Sequence, residues 1–257
     1  MKIVIAIPCY NCETQLPRLL NELNSNLSDQ NDILQVCIID NCSSDRTIAA
    51  AQNLISSFKK PALYSIYQNY ENAGLGGTHK IGFTLSNEMG ASHLLIIHGD
   101  HQASPSDITK LIKKLIEAGG LTTLGSRFSD LTLLSGYSRF RILGNLALNL
   151  LYTLVTGRYV VDLGSGLNIF RLTDFKIEHV QNFDNGFTFN MDLLLYLIKN
   201  KIPFQYVPIR WSTTDQVSNA HALKVGYKTM NKLWPWLLNR KLKNLHHTKS
   251  KKIITTN

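Results

Sequence analysis

Lys2–Pro8 reads KIVIAIP, an unbroken apolar run rich in β-branched residues, and its reading decides the fold. A run without alternation is a strand covered on both faces, the kind found in parallel sheets flanked by helices. Immediately downstream, Leu16, Leu19, Leu20, Leu23 and Leu27 recur at helical spacing, one apolar stripe on a helix packed against that strand. The pairing repeats. Gln35–Asp40 (QVCIID) is a second strand, and Ser43 and Ser44 are caps for a helix from Asp45 to about Phe58. Leu63–Gln68 and Leu75–Glu88 supply the third strand and helix. His93–His98 (HLLIIH) is a fourth strand, followed by a helix start at Ser104-Pro105 and the stripe Ile108, Leu111, Ile112, Leu115. The alternation predicts an α/β fold, a mostly parallel sheet with helices on both faces.

Beyond Gly119-Gly120 the pattern is more mixed. Strands are expected at 121–127, 167–171 and 204–209, and helices at about 140–155 and 191–199. A last helical segment, 222–238, has Trp234 and Trp236 flanking Pro235. The division expected is one nucleotide-fold domain over residues 1–222, then an amphipathic helix and basic tail over 223–257.

The chain has 257 residues, enough to bury a sizeable core. At 44% hydrophobic and 18% charged it is neither disordered nor a membrane bundle. Its formal charge of +9 is unevenly spread. From Asn231 onward there are seven basic residues and no acidic one, which leaves +2 for the preceding body. That distribution argues against a body built to grip nucleic acid, and no nucleic-acid partner is expected. The charge-free stretch Ile142–Gly157 is 16 residues and carries two asparagines and two threonines, whereas a span needs about 20 apolar residues. Without a signal-peptide cleavage pattern, the expected compartment is the cytoplasm, with the tail touching the inner face of a membrane.

In open α/β sheets ligands bind at the carboxyl ends of the strands. Those ends carry Tyr10, Asn11 and Glu13; Asp40, Asn41, Ser43, Ser44 and Asp45; and His98, Gly99, Asp100, His101 and Gln102. Carboxylates at successive strand ends are costly unless they bond a ligand, hold a cation or cap the following helices.

IPCYNCE, VCIIDNCSSDRT, NAGLGGTHKIGF, IIHGDHQASPSDI and GSRF follow the order and spacing of family 2 glycosyltransferases. The chain most resembles the dolichol- or polyprenyl-phosphate mannose or glucose synthase branch, over about residues 2–219. The resemblance implies a GT-A fold, a nucleotide-diphosphate sugar donor, a divalent cation (Mg²⁺ or Mn²⁺) and a lipid-phosphate or glycan acceptor. It implies donor contacts from Pro8, Tyr10, Asn11, Glu13, Asp40, Asn72, Gly74, Lys80, His98 and Arg127. Asp100 and Gln102 match the metal-binding Asp-x-Asp-x-Gln block, and Asp162 in VDLGSGLNIFR matches an aspartate beside the reacting sugar. Arg139, Ser165 and Arg210 are expected to meet the acceptor or its phosphate. A departing nucleotide diphosphate develops negative charge that an oxygen-ligated cation neutralises. For a sugar hydroxyl acceptor Asp162 would be the general base, with Asp192 behind it; for a lipid phosphate, already anionic, Asp162 would orient the reactants instead.

Several positions depart from the family pattern. His98 stands where the first aspartate of Asp-Ala-Asp would be. Either Asp100, Gln102 and the donor hold the metal while His98 is structural, or imidazole joins and favours Mn²⁺. Asn41 replaces a second aspartate, and Thr213 and Asn219 stand where cations contact the lipid phosphate, so Arg139, Arg141, Arg210, His221 and Lys224 are the substitutes available. Trp211 serves core packing or sugar stacking. Cys9, Cys12, Cys37 and Cys42 mimic zinc-ligand spacing, although buried cysteine more often acts as a small hydrophobe. A nucleotidyltransferase would carry a Gly-rich basic loop after the first strand, which CYNCETQ lacks; a non-enzymatic module docking through the tail is the other rival.

Overall fold

The computed structural model describes residues 1–27, 31–215, 222–237 and 250–253. β1 (Ile3–Cys9) is buried along its whole length, and α1 (Gln15–Leu27) lays its leucine stripe into the adjoining core. β2 (Ile33–Asp40), α2 (Thr47–Ile55), β3 (Tyr64–Asn69), α3 (Gly74–Glu88), β4 (His93–Ile97) and α4 (Asp107–Glu117) continue the alternation. Then come β5 (Thr122–Ser126), β6 (Leu134–Ser135), α5 (Arg139–Thr156), β7 (Leu167–Arg171) and α6 (Ile177–Gln181). α7 (Phe189–Lys199), β8 (Phe204–Pro208), β9 (Trp211–Ser212), α8 (Ala222–Leu237) and β10 (Ser250–Ile253) complete the order.

Eight strands form one sheet in the order β10-β3-β2-β1-β4-β7-β5-β8, and β6 and β9 pair separately. β3, β2, β1 and β4 run parallel, as the buried runs predict; β7 is antiparallel to both β4 and β5. One core lies between the sheet and α1, α2 and α4; the other takes side chains from α3, α5 and α7. Cys9 pairs with Asp40 in register, Asn41 N–H donates to the Cys9 carbonyl (2.8 Å), and Gly99 N–H donates to the Pro8 carbonyl (2.9 Å). The carboxyl ends of β1, β2 and β4 therefore converge on one edge.

The two cores also remove the zinc reading. Cys9 and Cys12 lie in one core and Cys37 in the other, so the sheet itself separates them. Burial pushes the Cys37 thiol up to about 12, the behaviour of an apolar filler.

The C-terminal segment differs from the expected appendage. Tyr152 Oη donates to the Thr229 carbonyl (2.7 Å), joining α8 to α5, and Leu233 is buried in the second core. Lys232, one of the seven basic residues counted from Asn231 onward, donates to Asp192 at 2.8 Å and is largely buried. β10 pairs antiparallel with β3, so the edge strand is covered by the chain's own end. Asn219 and His221 lie outside the described residues.

Lys80 and Gly74, expected at the donor, serve the fold instead. Lys80 is fully buried, and its Nζ donates to the carbonyls of Gln181 (3.0 Å) and Phe183 (2.6 Å) and to Asn185 Oδ1. Gly76 and Gly77 N–H both donate to the Asn185 carbonyl (2.8 and 3.2 Å), so that carbonyl occupies the start of α3. A Cβ on Gly74 would stand 2.3 Å from that oxygen, and one on Gly76 2.2 Å from the Asp184 carbonyl. The glycines admit the close approach of the 184–186 loop.

Two outcomes follow. Lys232→Ala leaves Asp192 buried without its cation and should cost about 3 kcal/mol in urea denaturation, most of it regained when Asp192→Leu is added to Lys232→Met. Burial lowers the Lys80 ammonium to about 8, with Asp184 and Asp192 opposing that shift. The folded protein thus releases this proton before the unfolded chain does. Between pH about 8 and 10.5, stability should rise with pH in the wild type relative to Lys80→Met, and the two should run parallel below pH 7. Parallel curves throughout would contradict the assignment.

Candidate active site

The loops after β1 and β2 bond each other. Asn11 and Cys42 both adopt positive φ (49° and 61°). Asn11 N–H donates to Ser43 Oγ (2.9 Å), and Asn11 Oδ1 accepts from Ser44 N–H (2.9 Å). Glu13 Oε2 accepts from Arg46 N–H (2.8 Å). Asp45, rather than Ser43 or Ser44, takes the Thr47 N–H at the start of α2, which is why that helix begins later than expected. Asp40 is fully buried and both its oxygens accept from Ser43, so it shapes the turn beneath the pocket rather than lining it. Tyr10 stands exposed beside them, and Pro8 is buried in β1.

Asn41 explains its departure from aspartate. Its Nδ2 donates to Asn72 Oδ1 (2.9 Å), while its Oδ1 accepts from Asn69 Nδ2 (2.9 Å) and Ala73 N–H (2.8 Å). Asn72 Oδ1 in turn accepts from Gly74 N–H (3.0 Å). An amide both donates and accepts; a carboxylate could keep the two accepted bonds but not the one donated to Asn72.

After β4, His98 turns its Nε2 to the Nε2 of His79 at 3.0 Å. Burial lowers both imidazoles toward the neutral form; His79 is pushed further down by His98, and Asp100 partly opposes the shift at His98. This contact fits the structural reading of His98 and takes that nitrogen away from donor or metal. Asp100 is partly exposed, with its Oδ1 accepting from Gln102 N–H (3.2 Å). Gln102 Nε2 donates to Thr213 Oγ1 (3.3 Å), tying this loop to the segment where a cation was expected. His101 has φ 56°, and its ring meets Glu22 Oε2 (3.0 Å). Glu22 Oε1 also accepts from Ser104 Oγ (3.1 Å) and Ser106 N–H (3.2 Å). Glu22 therefore fastens the 100–106 loop from α1, a role no strand-end rule could reveal.

Arg127 and Asp162 form the other wall. Arg127 Nε and Nη2 donate to the two Asp162 oxygens at 2.9 and 2.7 Å, and Arg127 N–H and Gly164 N–H add bonds of 2.9 and 3.1 Å. Burial works against the guanidinium charge, but Asp162 outweighs it and holds Arg127 above its usual range. Its guanidinium carbon lies 5.2 Å from the Trp211 ring centroid, so Trp211 is a buried platform for arginine. Ala103 bridges to Trp211, bringing the Asp100 loop alongside Arg127.

Several expected roles meet side chains that are already engaged. Asp162 is buried and saturated with donors, so as found it has no vacancy for a substrate proton. Asp192 is buried against Lys232, and burial raises its carboxyl. Ser165 is buried, bonding the Leu167 carbonyl in its own turn, which removes it from acceptor contact. Arg210 pairs with Asp107 at 3.1 Å at the start of α4, and Arg139 is exposed at the start of α5. Among the described residues no three His, Cys, Asp or Glu side chains gather as a metal cage.

The glycosyl transferase family 2 model matches residues 4–162. A UDP-N-acetylglucosamine–dolichyl-phosphate N-acetylglucosaminyltransferase from Methanococcus voltae is 26% identical over 90% of this chain and 94% of its own. A dolichyl-phosphate β-glucosyltransferase from Drosophila melanogaster is 25% identical over 92% and 72%. The Mycobacterium tuberculosis glucosyl-3-phosphoglycerate synthase, solved with Mn²⁺, UDP and phosphoglyceric acid, superposes with a TM-score of 0.63 over 95% of this chain and 79% of that one, at 14% identity. That likeness establishes the GT-A architecture. Strand order, converging strand ends and family match agree: the chain belongs to glycosyl transferase family 2.

Proposed function

We propose that this glycosyltransferase moves a sugar, with inversion, from a nucleotide-diphosphate sugar to an anionic polyprenyl phosphate. The observation that carries the acceptor class is the occupation of both oxygens of Asp162, the carboxylate expected to take a proton, while Asp192 behind it is buried and uses one oxygen for its bonds. Asp162 is bound to Arg127, and Asp192 to Lys232. A sugar hydroxyl needs a base at the moment of attack, whereas a phosphate acceptor arrives deprotonated. The dolichyl-phosphate acceptors named for the two relatives support the same choice.

The residues suit a divalent cation held jointly with the donor. Asp100 offers one carboxylate and Gln102 one amide oxygen, both partly exposed. A hard cation such as Mg²⁺ or Mn²⁺ takes its remaining ligands from diphosphate oxygens and water. The Mn²⁺ and UDP bound to the mycobacterial neighbour support that reading. When bound, the ion would neutralise charge on the departing diphosphate. Tyr10, Asn11 and Glu13 border the donor from the zipped β1 and β2 loops. Arg127, held by Asp162 and backed by Trp211, keeps Nη1 as the donor for a phosphate oxygen. Asp162 is thus a positioning residue for Arg127.

Asp100→Asn should lower both donor hydrolysis and sugar transfer by about a thousandfold with an unchanged thermal melt. Near-normal turnover in that variant would sink the assignment. In a thermal-shift screen, the true nucleotide-sugar should raise the melting temperature only when Mg²⁺ or Mn²⁺ is present.

A further inference from the structure

The outer face of α5 is apolar where water should find polar groups. Phe140, Leu143, Leu150 and Leu154 are 75, 67, 59 and 72% exposed, and Leu146 is exposed between them. The other exposed positions from 143 to 154 are Gly144 and Ala147, so this face carries no polar side chain. The helix's polar groups turn the other way: Asn149 donates to the Val161 carbonyl, and Tyr152 to that of Thr229. Spacing of 140, 143, 147, 150 and 154 makes a single stripe along the helix. α8, joined to α5 through Tyr152, adds a second stripe in Tyr227, Met230 and Trp234, each exposed. Apolar exposure on this scale marks a contact surface.

Charge identifies what covers it. No acidic residue occurs from 131 to 161 or from 216 to 257, while Arg139, Arg158 and Lys228 are exposed around the stripes. Two copies packed through this face would bring these cations together, with no carboxylate on α5 or α8 to answer them. Anionic headgroups would answer them all. No helix among the described residues is long and apolar enough to cross a membrane, so α5 would lie in the plane of the interface.

We infer that the α5–α8 face seats the protein on an anionic lipid bilayer. This relocates the membrane contact from the basic tail to a folded surface. α5 lies within the segment bounded by Arg127 and Asp162, and its Asn149 donates to the carbonyl of Val161, the residue before Asp162. The inference takes its biological sense from the proposed lipid-phosphate acceptor, but docking itself requires neither donor nor acceptor.

Co-sedimentation of the full chain with phosphatidylcholine vesicles, with and without phosphatidylglycerol, tests it. The wild type should bind the anionic vesicles preferentially. The double variant Leu143→Asp, Leu150→Asp should bind them about tenfold or more weakly, with unchanged melting and unchanged nucleotide-sugar binding by calorimetry. A wild type that ignores anionic vesicles, or a double variant that binds as well as wild type, would overturn the inference. So would a dimer in sedimentation velocity that the two substitutions dissolve, since a second copy would then own the face. Vesicle binding that persists while no nucleotide-sugar binds would leave docking standing and remove the proposed reaction alone.

Discussion

A buried arginine–aspartate pair organises the working edge of this protein. Arg127 ends the β5 run, and Asp162 follows α5, 35 residues later. Taking two charges out of water is expensive unless geometry is good and the remaining lone pairs are satisfied. Here both conditions hold, since the fork is bidentate and two backbone N–H groups complete the carboxylate. The pair closes the excursion that contains β6 and α5, fixes Arg127 over Trp211, and engages both oxygens of Asp162.

Around the pair, neighbouring elements are tied by polar bonds rather than by packing alone. Asn41, Asn69 and Asn72 lock the ends of β2 and β3 to the start of α3. Glu22 locks the Asp100 loop to α1. Asn185 fills the α3 N-terminus, and Lys80 holds the loop that carries it. A site that must accept a highly charged diphosphate gains from such preorganisation, because little rearrangement is left to be done on binding.

The parallel half of the fold was legible because buried strands and striped helices leave periodic patterns. β1, α1, α3 and α7 lie within two residues of their expected bounds for that reason. β10 was not legible: a strand that completes an edge is specified by the partner it meets, and SKKI carries no period of its own. The motif blocks located the site, yet side-chain direction escaped them. Lys80 and Gly74 sit inside a family block but face the 181–186 loop. Ser165 and Asp162 likewise sit in a matching block with their polar atoms already satisfied. Glu22, in the middle of an ordinary helix, gave no sequence signal. Its role arises only when α1 and the post-β4 loop are brought together.

The most direct test of the account is the pH dependence of sugar transfer to a polyprenyl phosphate by the wild type and Asp162→Asn. If Asp162 acts by holding Arg127, the variant should lose rate by a similar factor at every pH and keep the shape of the wild-type profile. If instead Asp162 takes a proton, the wild-type acidic limb should disappear in the variant and its rate should climb with hydroxide. That second result would contradict both the positioning role and the anionic acceptor inferred from it.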